Sequence, residues 1–79
     1  MENYESLTER EIQVMVLYSN PYLEKGEIAN RLAISITTLN WHIGNIFSKL
    51  RESDRYPASF RFFQLYPSYR YLIVDYIAS

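Results

Sequence analysis

Residues 36–50 restrict the fold of this chain more than any other stretch. Ile36, Leu39, Ile43, Ile46, Phe47 and Leu50 recur at three- and four-residue intervals, which draws one apolar stripe along a helix. The opposite side carries Thr37, Asn40, Trp41, Gly44 and Ser48. Just upstream, Ile28, Ala29 and Leu32 give a shorter helical period over about residues 24–32, and only Ala33-Ile34-Ser35 separates the two. Ser35 fits the N-cap of the longer helix, since its hydroxyl can accept from an unpaired amide of the first turn. A short helix, a three-residue turn and a longer amphipathic helix make a helix-turn-helix pattern. The stripe must be buried against neighbours, and burying it holds the small polar face outward.

The flanks supply those neighbours. Leu7-Thr8-Glu9-Arg10-Glu11-Ile12 reads as a capping box, Thr8 with Glu11, inside a hydrophobic staple, Leu7 with Ile12. It predicts a first helix over about residues 9–19, stopped by Asn20-Pro21. Lys49 and Arg51 suit the negative end of the third helix. Pro57 fits the first turn of a fourth helix, about residues 57–65, which Tyr66-Pro67 ends. Tyr69, Leu72, Ile73, Tyr76 and Ile77 then repeat at helical spacing, although so many Tyr, Ile and Val leave a terminal strand as the alternative. The expectation is an all-α fold: a compact helix-turn-helix bundle of four helices plus a fifth C-terminal helix over about residues 68–78. Residues 1–79 form one domain in this reading, with an aromatic extension from about residue 56. Phe60, Phe63, Leu65, Leu72, Ile73 and Ile77 are expected to extend the core, with Phe62 off that face. The aromatic tail serves either as a satellite core or as a dimer or partner surface, to which Phe60, Phe63, Tyr69 and Tyr76 are assigned.

Composition removes several classes of function. The 79 residues include no cysteine and one histidine, His42, which excludes a disulfide framework and any thiolate or multi-histidine metal site. There is no phosphate loop and no paired acid and base, so neither an enzyme nor a cofactor site is expected. No apolar run approaches the ~20 residues of a membrane span, and the acidic start Met1-Glu2-Asn3-Tyr4-Glu5 is unlike a signal peptide, so a cytoplasmic protein without a membrane partner is expected. The net charge is −1. Residues 1–27 hold six carboxylates against Arg10 and Lys25, whereas residues 28–51 hold no carboxylate and three cations, Arg31, Lys49 and Arg51. A weakly basic face is thus available on an acidic molecule.

Read in order, Leu7-Thr8-x-Arg10-Glu11, then Glu27-Ile28-Ala29-x-x-Leu32-x-Ile34-Ser35-x-x-Thr38-Leu39-x-x-His42-x-x-Asn45-Ile46-x-x-Lys49-Leu50, then Arg55-x-x-Ala58, resembles the LuxR/GerE-type DNA-binding domain. The resemblance implies a four-helix domain whose third helix enters the major groove of double-stranded DNA, and members that commonly pair as homodimers through the fourth helix. It implies base-facing roles for Thr37, Asn40, Trp41 and Gly44. Lys25, Arg31, Ser35, Thr38, His42, Asn45 and Lys49 would face phosphates. Most members carry an upstream sensor or receiver; this chain is expected to be a stand-alone regulator. Arg55 is expected to brace the fourth helix.

The chain also departs from the family pattern. Asn40 stands where lysine is frequent, Gly44 replaces a basic or polar residue, and Asn20-Pro21-Tyr22-Leu23-Glu24-Lys25-Gly26 is longer than the usual link between helices one and two. These departures, the acidic total and Trp41 motivate an alternative: a protein-interaction module or anti-regulator that binds a transcription factor or RNA polymerase subunit. A sigma-factor recognition domain is a related reading.

Overall fold

Thr8 fixes where the first helix begins. In the computed structural model, which describes residues 4–69, the Thr8 hydroxyl accepts from the Glu11 N–H at 3.2 Å, and Glu11 Oε1 accepts from the Thr8 N–H at 2.9 Å. This reciprocal cap opens α1, Glu9–Tyr18. Ser19 is its C-cap rather than its last residue. Asn20 then turns the chain, its Oδ1 accepting from the Tyr22 N–H at 3.0 Å. Three further helices follow: α2, Lys25–Arg31; α3, Ile36–Leu50; and α4, Arg55–Leu65. The bounds of α3 are those its stripe predicts. α2 is shorter by one residue at each end, where Glu24 and Leu32 act as caps. α4 starts two residues early, so Pro57 occupies the third position of its first turn, where no intrahelical N–H is needed. Pro67–Tyr69 forms a 3-10 turn. The rest of the expected fifth helix, Tyr76 included, lies outside the described residues. The fold is all-α, with no strand among the described residues.

α2 and α3 end alike. In each, a residue with φ of 56° follows the last turn, Ala33 after α2 and Arg51 after α3. The next amide reaches back across the turn, from Ile34 to the Ala29 carbonyl and from Glu52 to the Phe47 carbonyl, both at 3.0 Å. This is the Schellman closure, which satisfies carbonyls that a helix end leaves unpaired.

α3 packs against α1, α2 and α4. Leu39, Ile43, Ile46 and Leu50 are buried, facing Val14, Met15, Ile28 and Phe62 in one core. Ile36 departs from the expected stripe: it is 51% exposed, because it is the first residue of α3 and precedes the turn that meets the core. α4 corrects the expectation further. Phe62, expected off the buried face, is fully buried, while Phe60 is 68% exposed and Leu65 is 40% exposed. The inward face of α4 is Ala58, Ser59 and Phe62, so Phe60 lies on the opposite side. Phe63 is half-buried against the core. The Phe62 ring stacks on Tyr66 at 5.4 Å and lies 5.9 Å from Tyr69. The Tyr66 hydroxyl accepts from the Leu7 N–H at 2.9 Å, tying α4 to the entrance of α1.

Candidate nucleic-acid interface

The outward side of α3 is held by its own cap and by the core beneath it. Ser35 Oγ accepts from the Thr38 N–H at 3.0 Å, and the two hydroxyls are also 3.0 Å apart. Both residues are exposed at the helix start, beside amides that carry the positive end of the helix dipole. Thr37, Asn40, Trp41 and Gly44 are all exposed and share the side opposite the core. A Cβ at Gly44 would meet no atom within 4 Å. Glycine there is not required by packing, and its effect is a flat, low surface in mid-helix.

His42, Asn45 and Lys49 lie on one flank of α3 and are half-buried. They face α1 across a cleft of about 540 Å³, which Trp41, Thr8 and Glu5 also line. The Trp41 and His42 rings meet edge to face, with centroids 5.1 Å apart. Lys49 is not an open cation. Its Nζ donates to Glu11 Oε1 at 2.8 Å, bridging the α3 end to the α1 start. Arg31 pairs with Glu27 at 3.1 Å on α2. Lys25 is exposed at the first position of α2. The structure thus gathers the residues assigned to bases on one surface. It places those assigned to phosphates around its edges, two of their charges being shared with carboxylates.

Glu11 is the site residue that local sequence reasoning misses. It serves as a capping residue and as the counter-ion of a lysine 38 positions away, and no short-range pattern carries the second role. Burial pushes its carboxyl up. The hydrogen bond from Lys49, the Thr8 N–H, the Lys49 charge and the Thr8 hydroxyl push it down, and together they hold it below its ordinary value of 4.5. The stabilisation this represents is present above pH 4.5 and is lost as pH falls through the lower value of the folded state. Urea unfolding as a function of pH is expected to show a stability loss on that acid limb that Glu11→Gln removes. An unchanged acid limb in the variant contradicts this.

Arg55, expected to brace α4, does so by crossing to the α1–α2 connection. Its Nε donates to the Tyr18 carbonyl at 2.7 Å, and Nη2 to the carbonyls of Asn20 and Leu23 at 2.8 and 2.5 Å. The guanidinium also lies 4.4 Å from the Tyr18 ring centroid. Arg10 acts similarly at the end of α2, donating to the Leu32 carbonyl at 2.9 Å. The two arginines are engaged by carbonyls and hold the helix-turn-helix unit in place.

Residues 5–59 match the GerE family, described as bacterial regulatory proteins of the luxR family. Among curated proteins, the chain is 43% identical over 63 residues to the response regulator protein VraR of Staphylococcus aureus (strain NCTC 8325 / PS 47). The same identity holds for the proteins of that name from Staphylococcus saprophyticus and Staphylococcus epidermidis. In each case the similarity covers 80% of this chain and 30% of the relative. No solved structure matches. No helix among the described residues is long and apolar enough to cross a membrane.

Proposed function

Since the chain belongs to the LuxR/GerE family of bacterial regulatory proteins, we propose that it is a sequence-specific transcriptional regulator that reads double-stranded DNA in the cytoplasm, with α3 in the major groove. The observation that carries this reading is the surface of α3. Its exposed side, from Thr37 to Ser48, bears no carboxylate, is small and polar apart from Trp41, and is backed by a packed core. A helix so mounted fits a groove ~12 Å wide. Asn40 is the base reader in this proposal, its amide matching the N6 donor and N7 acceptor of adenine. Thr37, Trp41 and Gly44 lie beside it. Ser35 and Thr38 meet one phosphate strand at the α3 start, with Lys25 and Arg31 near it, while His42, Asn45 and Lys49 border the other.

The functional unit is a homodimer in this reading. Tyr56 and Phe60, one turn apart on α4, are 65% and 68% exposed, an apolar ridge that a second copy would cover. Two α3 helices related by a two-fold axis would meet half-sites about one DNA turn (~34 Å) apart.

Selection from a pool of random duplexes by mobility shift is expected to recover a defined site. Asn40→Ala is expected to lose about 1–3 kcal/mol of discrimination at one base pair of it, whereas Lys25→Ala, at an exposed lysine, weakens every sequence alike. Failure to enrich any duplex, even at low salt, overturns the proposal.

A further inference from the structure

We propose that Trp41 is a specificity-determining residue that reads the C5-methyl group of thymine, so that the sites this protein selects place A·T pairs under α3. The inference rests on α3 being the major-groove helix and adds which base pairs it takes. Trp41 is 64% exposed, with its indole held edge to face against His42 instead of being folded into the core. Thr37 precedes it by one turn, so a methyl group and an indole occupy one row of the helix. Thymine is the only base that presents a methyl group in the major groove, and apolar side chains are its natural contacts.

The polar chemistry of the same surface agrees. The commonest specific contact to guanine is a bidentate arginine or lysine on O6 and N7. Between Ile36 and Ser48 there is no arginine or lysine, so this surface has no such contact to offer. Asn40, in the adjacent row, suits adenine. Amide and indole therefore address complementary features of A·T pairs. Gly44 lets the helix backbone approach the base edges, since no side chain stands there and no neighbouring atom crowds the space. A short reach matters because a methyl contact acts only at van der Waals distance.

Deoxyuridine tests this directly, because it removes the methyl group and keeps base pairing and every polar edge. Starting from a duplex selected by the full chain, each thymine is replaced in turn by deoxyuridine and affinity is read by fluorescence anisotropy. Burial of one methyl group corresponds to about a fourfold change in Kd. The expected result is a loss of that size at one or two thymines per half-site. Trp41→Ala, which alters an exposed residue and should melt like the parent, is expected to bind the thymine and uracil duplexes equally. If the parent binds its selected duplex and no deoxyuridine substitution weakens it, the methyl reading is overturned while DNA binding stands. It is equally overturned if Trp41→Ala keeps the preference for thymine. If no duplex is selected, both readings fall together.

Discussion

Replacing Arg55 by alanine is expected to lower the stability of this chain by about 3–5 kcal/mol, since it removes a charged donor from three part-buried hydrogen bonds, each on the scale of about 1.5–3 kcal/mol before water replaces part of it. The guanidinium serves three carbonyls, those of Tyr18, Asn20 and Leu23, and no other described residue is placed to serve all three. Those carbonyls belong to the end of α1 and to the long connection after it. That connection bends around Asn20, which is only 3% exposed, so water has poor access to its backbone. Native stability for small domains is about 5–15 kcal/mol, and the loss would leave a large part of the population unfolded. Urea unfolding followed by circular dichroism measures it. Arg55→Lys separates charge from shape: an ammonium cannot span three acceptors in a plane, so lysine is expected to recover less than half of the loss. Full recovery by lysine, or a loss below about 1 kcal/mol in the alanine variant, contradicts the role assigned.

Phe62→Ala is expected to cost a similar amount, about 3–5 kcal/mol, through the cavity it leaves. Phe62 is fully buried, and its ring touches Phe63, Tyr66 and Tyr69. Tyr66 in turn accepts the Leu7 amide, so the cavity would loosen the attachment of the α1 entrance as well. Phe60→Ala, two positions away, is the control. With Phe60 68% exposed, the stability of the isolated chain should change by no more than about 0.5 kcal/mol. Its effect should fall on self-association, measured by sedimentation equilibrium, since Phe60 belongs to the α4 ridge proposed to meet a second copy. Equal destabilisation by the two substitutions would mean that the inward face of α4 has been misidentified.

These two phenylalanines also mark where the sequence is legible and where it is not. α1 and α3 carry strong signals: a reciprocal cap at Thr8 and Glu11, a cap at Ser35, and four aliphatic residues of α3 that all turn inward. α4 offers Phe60, Phe62, Phe63 and Leu65, whose spacing admits more than one helical phase. The phase is decided by Ala58 and Ser59, small residues that allow close approach and carry no hydrophobic signal. Ser59 even hides its polarity, its hydroxyl donating to the Arg55 carbonyl at 2.8 Å. The exposed row of α3 is readable from its periodicity. The pairing of Lys49 with Glu11 and the three carbonyls on Arg55 are not, because both link residues more than 30 positions apart and depend on how the helices cross.

Ala33 closes α2 with φ of 56°, in a region that costs an L-residue about 1–2 kcal/mol and that glycine enters freely. It is exposed and stands outside the row of α3 proposed to face bases. The turn between the two central helices therefore holds a dormant margin, one codon change from release. Lineages that altered Asn40 or Trp41, the proposed base readers, and lost stability in doing so would have a compensating step at hand away from the proposed reading surface.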